Sequence, residues 1–233
     1  MTHKPIQDRI MVALDSDDAQ AAISLVNTLQ NNVLWYKIGP ALFARDGADI
    51  LRFLKTEKKR VFLDLKLHDT PAVVGQTVRL LASLGVDYVS VHLLGGAAML
   101  HAAQESCRGS KLRLLGVTLL TSQQSSDLQS WGLKTPEPEL VTRLIKLAME
   151  ARLAGALCSA HELETVRPLT LPGFLLLAAG IRIEGREVYQ DDQKRVSNAR
   201  DAFAKGADYL IVGRPITQTR DPKEALAALS ASV

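Results

Sequence analysis

The sequence predicts an α/β fold, a single (β/α)8 TIM barrel that spans residues 1–233. Short apolar or β-branched runs alternate eight times with longer amphipathic stretches, the pattern of successive βα units around a parallel sheet. No linker, low-complexity tract or change of composition divides these units. Polar residues recur at the ends of the predicted strands, the face where such barrels place their active sites. These observations favour one closed barrel over an open doubly wound sheet or two small domains.

Composition limits the partners and the compartment. With 47% hydrophobic residues, the chain of 233 residues can bury one sizeable core. The formal charge of +3 comes from dispersed lysines and arginines, so no nucleic-acid partner is indicated. Cys107 and Cys158 form neither a metal-ligand spacing nor a disulfide framework, which favours a reduced, cytoplasmic setting. Residues 1–9 lack the apolar region of a signal peptide, and no apolar run reaches the length of a membrane span.

The first half of the chain contains four predicted strands, at residues 10–14, 34–38, 61–67 and 87–92. The helices that follow them are predicted over residues 17–29, 40–56, 71–84 and 97–107. Asp17 is the predicted N-cap of the first helix. Gly39 and Pro40 break the second strand and begin the second helix, and Gly85 ends the third helix.

The second half contains four more predicted strands, at residues 112–119, 154–158, 174–178 and 208–212. Their helices are predicted over residues 136–152, 160–166, 201–205 and 213–229. Thr135 and Pro136 form a cap-and-proline start for the first of these helices. Residues 184–194 are charged and almost without apolar side chains, so they are expected outside the core, with the composition of a lid.

The most unusual stretch is residues 60–71, Arg-Val-Phe-Leu-Asp-Leu-Lys-Leu-His-Asp-Thr-Pro. Side chains alternate between the two faces of a strand, so Phe62, Asp64 and Lys66 are expected on one face. Three leucines share the other face and are expected to pack in the core. Buried charges are costly unless they are well paired, so the charged face indicates a functional site more strongly than a structural ion pair.

A second carboxylate follows this strand. Thr70 is a good N-cap and Pro71 suits the first helical position, so Asp69 is expected on the loop at the strand's C-terminal end. Two carboxylates, those of Asp64 and Asp69, would then crowd the single ammonium of Lys66. This imbalance predicts perturbed titrating groups of the kind that cluster at active sites.

The polar candidates all follow or end predicted strands: Asp15, Lys37, Asp64, Lys66, His92, Thr121, Arg182 and Arg214. The turn Gly213-Arg214-Pro215 begins a helix, where free N–H groups and the helix dipole attract anions. Phosphate sites near strands seven and eight recur in this fold. Arg182 and Gln193 would strengthen such a site, whereas an exposed arginine on a tight turn is the alternative.

These motifs resemble a known family. The stretch Asp64-Leu-Lys-Leu-His-Asp-Thr-Pro, with Lys37-Ile-Gly, Gly180-Ile-Arg, Asp192-Gln-Lys-Arg and Val212-Gly-Arg-Pro-Ile-Thr, is similar to orotidine 5'-phosphate decarboxylase. The resemblance runs from residue 10 to residue 222. The Asp-x-Lys-x-x-Asp core alone is shared with a wider suprafamily that includes a sugar-phosphate decarboxylase and a hexulose-phosphate synthase. Lys37, Gln193 and Arg214 favour the narrower family.

The resemblance implies a homodimeric TIM barrel that converts orotidine 5'-phosphate to UMP and carbon dioxide, the last step of de novo pyrimidine nucleotide biosynthesis. It implies no metal and no organic cofactor. Lys66 is expected to protonate the carbon that loses carbon dioxide, Asp64 to face the departing carboxylate, and Lys37 to bridge Asp64 and the ribose. Asp69 is expected to come from the neighbouring subunit. The other expected contacts are Asp15 and Thr70 with ribose or substrate hydroxyls, Thr121 and Ser122 with the pyrimidine, and Arg182, Gln193, Gly213 and Arg214 with the phosphate.

Ala178-Ala179 stands before Gly180 where the family usually has Thr-Pro. This departure leaves the turn after the seventh strand undetermined, although it removes none of the expected contacts. His92 is interpreted as a structural hydrogen-bonding residue, because a strand-end histidine beside small residues is more often that than a catalytic group. Cys158 is interpreted as a core residue.

Two other functions remain as alternatives. In a magnesium-dependent sugar-phosphate lyase of the same suprafamily, the paired aspartates would hold a metal. Lys37 argues against this reading, since an ammonium beside Asp64 competes with a cation. A non-catalytic sensor of phosphate ligands built on a barrel would need no lysine between two carboxylates. An ultraviolet assay of orotidine 5'-phosphate loss separates the three.

Overall fold

The computed structural model describes residues 5–16, 18–183, 185, 188 and 195–233. Its barrel strands are β1 (Ile10–Leu14), β2 (Trp35–Ile38), β3 (Arg60–Leu67), β4 (Tyr88–His92), β5 (Arg113–Val117), β6 (Gly155–Ser159), β7 (Leu175–Ala179) and β10 (Tyr209–Val212). Two short strands, β8 (Ile181–Arg182) and β9 (Ser197–Asn198), form a separate parallel pair. β1 pairs in parallel with both β2 and β10, which closes the barrel. The predicted fold class is confirmed.

The helices are α1 (Ala19–Leu29), α2 (Pro40–Thr56), α3 (Pro71–Ser83), α4 (Gly96–Ser106), α5 (Ser125–Ser130), α6 (Glu137–Glu150), α7 (Leu163–Val166), α8 (Ala199–Ala204), α9 (Arg214–Thr217) and α10 (Pro222–Ala231). Pro40 and Pro71 lie in the first turns of α2 and α3, as predicted. Within the described part of the chain, we find no helix long and apolar enough to cross a membrane.

Two predicted segments differ from the structure. The final helix expected over residues 213–229 is two helices, α9 and α10. The break arises because the Asp221 side chain accepts a hydrogen bond from Glu224 N and caps a new helix start. The connection before Pro136 contains α5, which begins with a capping box between Gln124 and Asp127.

The predicted helix caps also need correction. Thr70 occupies the N-cap of α3, but its side chain makes no capping hydrogen bond. Pro136, rather than Thr135, is the N-cap of α6. Asp17 lies outside the described residues, and Asp18 caps α1 by accepting a hydrogen bond from the N–H of Gln20. Sequence locates these helices better than it locates their capping contacts.

Alternation along the strands divides the buried residues into two layers. One layer lies between strands and helices and includes Val12 and Leu63; the other fills the barrel and includes Trp35 and Phe62. Continuing the inward alternation places Lys37 two residues beyond Trp35 and Asp64 two residues beyond Phe62. The same pattern that builds the core therefore directs these charges to the barrel interior.

Aromatic rings fill the N-terminal end of the barrel. Trp35 stacks on Tyr88 with ring centroids 5.1 Å apart and meets Tyr209 edge-on at 5.7 Å. The guanidinium groups of Arg60 and Arg113 lie over Trp35 and Tyr88. This packing leaves the C-terminal end of the barrel for a cavity.

Candidate active site

A cavity of about 530 Å³ opens at the C-terminal ends of the barrel strands. Its volume is typical of small-molecule sites. The residues proposed from sequence that line it are Asp15, Lys37, Asp64, Lys66, Thr121, Ser122, Arg182, Gly213 and Arg214. The structure thus brings together residues that follow or end six different barrel strands.

Four of these side chains form a line of alternating charge. The Lys37 ammonium contacts Asp15 Oδ1 at 2.5 Å and lies 3.6 Å from Asp64 Oδ2. The Lys66 ammonium contacts the same Asp64 oxygen at 2.7 Å. Lys37 and Asp64 are buried, whereas the Asp15 side chain is 56% exposed. We refer to Asp15, Lys37, Asp64 and Lys66 as the charged quartet.

The quartet keeps Asp64 ionised. Burial disfavours its carboxylate, but the ammonium groups of Lys37 and Lys66 outweigh that cost, with further hydrogen bonds from Lys66 and Ser90. The pKa of Asp64 is therefore lowered from its ordinary value. The prediction of two carboxylates around a single ammonium is wrong within one chain, since the quartet contains two of each.

Gly39 makes room for the quartet. A Cβ at this position would lie 2.6 Å from Asp15 Oδ1 and 3.6 Å from Lys37 Nζ. The first of these contacts is too short for a carbon and an oxygen, so a side chain here would displace the Asp15–Lys37 pair. The glycine interpreted as a strand breaker therefore also permits the close approach of β1 and β2 side chains.

The cavity carries an excess of positive charge. Arg182 and Arg214 line it beside Gly213, close to the ends of β7 and β10. Among the described residues that line it, four cationic side chains against two carboxylates give a formal excess of two positive charges. Gly213 is also the N-cap of α9. This composition suits a substrate with several negative charges, such as a phosphate ester.

Apolar residues that sequence reasoning did not propose line another part of the cavity. Val117, Leu157 and Ile211 belong to the inner core layer and also line the cavity. The alternation along the strands predicts that these side chains point into the barrel. It does not predict whether an inward side chain lines the cavity or is buried in the core. Cys158 is buried as predicted and also lines the cavity, where burial raises the pKa of its thiol well above the ordinary value.

The Ala178-Ala179 departure lies at the cavity. Both alanines belong to β7, and Ala179 pairs with Ser159 of β6. Gly180 then turns the chain with a φ of 74°, which glycine adopts without strain. Because Ala179 lines the cavity, having Ala178-Ala179 in place of Thr-Pro alters the wall of the cavity, while β7 still forms.

Two expected site residues do not line the cavity, and a third lies outside the described residues. Asp69 and Thr70 are exposed and do not line the cavity of their own chain. The Asp69 carboxylate instead accepts a hydrogen bond from Thr70 N at 2.6 Å. Gln193 lies outside the described residues, as does most of the predicted lid at residues 184–194.

Two polar residues of β4 lie beside the quartet. Ser90 is fully buried and donates a hydrogen bond to Asp64 Oδ1 at 2.8 Å. Sequence reasoning missed it, although a serine inside Tyr-Val-Ser-Val was a signal. His92 accepts a backbone hydrogen bond through Nδ1 and stacks on His68 at 5.3 Å, in agreement with a structural role. Burial, His68 and the charge of Lys66 lower the pKa of His92 to about 4.

The fold and the cavity define a TIM-barrel enzyme for an anionic substrate. Comparison with known proteins refines this class. The family model "Orotidine 5'-phosphate decarboxylase / HUMPS family" matches residues 8–229. An orotidine 5'-phosphate decarboxylase of Dichelobacter nodosus is 40% identical over 235 residues, covering 100% of both chains. One of Pseudomonas aeruginosa (strain LESB58) is also 40% identical, covering 97% of this chain and 98% of its own.

Solved structures agree with the sequence comparisons. The crystal structure of orotidine 5'-phosphate decarboxylase from Lactobacillus acidophilus has a TM-score of 0.82 and 30% identity, covering 96% of this chain and 98% of its own. The chain therefore belongs to the orotidine 5'-phosphate decarboxylase / HUMPS family. Membership makes it an enzyme, a carbon–carbon lyase of the decarboxylase type that acts in pyrimidine biosynthesis.

Proposed function

We propose that this chain converts orotidine 5'-phosphate to UMP and carbon dioxide without a cofactor, as the last step of de novo pyrimidine nucleotide synthesis. The observation that carries the proposal is the charged quartet, in which the Lys66 ammonium is held by buried Asp64 at a cationic cavity. Relatives that are 40% identical over at least 97% of this chain carry the decarboxylase name.

In the proposed reaction, the bond between the pyrimidine ring and its carboxylate breaks. The electron pair stays on the ring carbon, and carbon dioxide leaves. The Lys66 ammonium stabilises this developing carbanion and donates its proton to the same carbon, which gives UMP. The neutral amine then regains a proton from water. Asp64 faces the departing carboxylate, and repulsion between the two is relieved as carbon dioxide forms.

The rest of the cavity binds the substrate in this proposal. Lys37 keeps Asp64 in place and contacts the ribose. The other assignments are Asp15 and Thr70 with ribose or substrate hydroxyls, Thr121 and Ser122 with the pyrimidine, and Arg182, Gln193, Gly213 and Arg214 with the phosphate. The position of Arg182 and Arg214 near the ends of β7 and β10 supports the phosphate assignment, because phosphate sites recur there in this fold.

The function is tested by following the ultraviolet absorbance of orotidine 5'-phosphate in the presence of the purified chain and a strong chelator. We expect turnover that is unaffected by chelation. The motivation is that the Lys37 ammonium lies between Asp15 and Asp64, where a metal ion would otherwise bind. Activity that returns only with added magnesium would favour the lyase alternative, and substrate binding without turnover would favour a sensor.

We further propose that the enzyme is a cytoplasmic homodimer of single-domain chains, residues 1–233, with Asp69 of the partner subunit completing each site. Asp69 is exposed and does not line its own cavity. The helix that follows it, α3, exposes Val73 and Leu80 to 46% and 63%. These residues are seven positions apart and so share one helix face, as an apolar interface requires.

A subunit-mixing experiment tests the shared site. Lys66→Ala and Asp69→Ala chains are each expected to be inactive as homodimers. In a hybrid with two-fold symmetry, one site carries both lesions and the other carries neither. Activity should therefore reappear as subunits exchange, with each variant incubated alone as the control. Subunits that exchange yet remain inactive would place Asp69 in the site of its own chain.

A further inference from the structure

We propose that Ser90 is a positioning residue that holds both the backbone of Lys66 and the carboxylate of Asp64 in their reactive arrangement. The inference rests on the proposed function and adds to it a residue that lies behind the cavity rather than in it. Ser90 does not line the cavity.

An irregularity in the sheet creates the place that Ser90 fills. The pairing of β3 with β4 runs from Leu63 with Val89 directly to Leu67 with Val91. Residues 64–66 therefore lie opposite Ser90 alone, so β3 contains two more residues than β4 over this interval. A bulge of this kind redirects side chains, and bulges are common beside active sites.

Ser90 links the two sides of this bulge. Its Oγ accepts a hydrogen bond from Lys66 N at 2.8 Å and donates one to Asp64 Oδ1 at 2.8 Å. The other Asp64 oxygen contacts the Lys66 ammonium at 2.7 Å. Main chain, hydroxyl, carboxylate and ammonium thus form a closed ring. Since a hydroxyl has a single proton to donate, both of these roles of Ser90 are fixed.

The ring is needed because Lys66 has a strained backbone. Its φ is +50°, in the left-handed region that is unfavourable for a residue with a side chain. Such conformations persist only where the surroundings hold them. Without the Ser90 hydroxyl, the Lys66 amide loses its acceptor and Asp64 loses a donor. The ammonium is then free to leave the position from which it protonates the product carbon.

The test compares Ser90→Ala with Ser90→Thr, which keeps the hydroxyl. We expect Ser90→Ala to lower kcat by about a hundredfold, the effect of a displacement near 1 Å, with KM almost unchanged because the phosphate contacts lie elsewhere. Ser90→Thr should restore most of kcat. The matched control is Ser159→Ala, which removes another fully buried strand serine that does not line the cavity.

A role in folding alone would give equal losses in the melting temperature for Ser90→Ala and Ser159→Ala, with kcat of Ser90→Ala within about threefold of wild type. That result would overturn the proposal. If the wild-type chain itself fails to decarboxylate the substrate, the proposed function fails instead. Crystal structures of wild type and Ser90→Ala then decide: a displaced Lys66 ammonium supports the positioning role, and an unmoved one refutes it.

Discussion

Two networks of ion pairs in this barrel differ in their surroundings: one borders the cavity and the other does not. In the charged quartet, Lys66 is 33% exposed at the cavity while its partner Asp64 is buried. In the second network, Arg195 contacts Glu137 at the start of α6 and Glu162 after β6, and its side chain is only 11% exposed. We refer to Arg195, Glu137 and Glu162 as the closed triad.

The closed triad uses its charges in internal contacts. Arg195 also donates to the carbonyl of Leu120 at 2.9 Å, and Glu162 accepts a hydrogen bond from Ser159 N at 2.8 Å. None of the three triad residues lines the cavity. Buried charge alone therefore does not identify a catalytic site. The distinguishing feature of the quartet is an ammonium whose open side faces a space large enough for a substrate.

The largest expected effect separates chemistry from stability. Lys66→Ala should lower kcat by at least about a thousandfold, because it removes the ammonium that we propose stabilises the transition state. Its unfolding free energy should change by less than about 2 kcal/mol, since Lys66 is partly exposed and Asp64 keeps Lys37. Ultraviolet turnover and chemical denaturation measure the two quantities. Lys111→Ala, an exposed lysine before β5, is the control. A variant with a tenth of wild-type activity would contradict the assigned role.

A substitution in the closed triad should reduce stability more than it reduces turnover. Arg195→Met should lower the unfolding free energy by about 3–5 kcal/mol, because two carboxylates lose their buried cation. Turnover by the folded fraction should fall far less than in Lys66→Ala. The control is Arg143→Met, which removes an exposed ion pair with Glu139 on α6 and should cost at most about 1 kcal/mol.

The loss of unfolding free energy that we expect for Arg195→Met also depends on pH. Burial raises the pKa of Glu162 above its ordinary value even with Arg195 present. A raised pKa in the folded state favours folding at low pH, and this contribution is lost as pH rises through the folded-state pKa. The destabilisation by Arg195→Met should therefore be greater near neutrality than in mild acid. Equal losses at the two pH values would show that Glu162 does not depend on Arg195.

A phosphate contact should give an effect of intermediate size. Arg214→Ala is expected to raise KM and lower kcat, for a combined loss in kcat/KM of about a hundredfold, because remote binding energy also supports the reacting geometry. Loss of Gln193 should act in the same direction, and the two losses need not add. Arg220→Ala, an exposed arginine in the loop after α9, is the control. Unchanged kinetics in both site variants would refute the phosphate assignment.

The last expected effect concerns the stability of the protein in acid, through His92 beside the quartet. His92 has a pKa of about 4, below the ordinary 6.5, because of burial and the charges of His68 and Lys66. The unfolded chain therefore takes up a proton before the folded chain does, and stability falls as pH drops from 6.5 towards 4. The loss should be up to about 3 kcal/mol, measured by denaturation at several pH values.

His92→Asn should flatten this dependence while keeping an acceptor in place of Nδ1. His101→Asn, an exposed histidine on α4, should leave it unchanged. An identical pH slope in wild type and His92→Asn would assign the acid sensitivity to the carboxylates instead.

Much of the fold and most of the site could be predicted from sequence, because both follow local periodicity. The inward alternation of β2 and β3 places Lys37 and Asp64 correctly, and strand ends collect Asp15, Arg182 and Arg214 at one edge. The parts that were missed depend on tertiary contacts. The bulge opposite Ser90 arises from the register of two strands, which neither strand specifies alone.

Charge balance was mispredicted for a related reason. Sequence proximity placed Asp69 beside Asp64, whereas the fold brings Lys37 there from another strand and leaves Asp69 on the surface. Arg195 was noted only as the last residue of the Asp192-Gln-Lys-Arg motif, and nothing in its neighbours along the chain indicates its contacts with Glu137 and Glu162. The number of charges in a site thus depends on contacts between strands.

Gly39 determines how this enzyme can be altered by mutation. The Cβ of any larger residue there would lie 2.6 Å from Asp15 Oδ1, so the substitution must move the Asp15 carboxylate and disturb its contact with Lys37. The apolar wall at Val117 and Leu157 carries no such restriction from the ion pairs. Efforts to adapt the cavity to other anionic substrates should therefore diversify that wall and leave position 39 untouched.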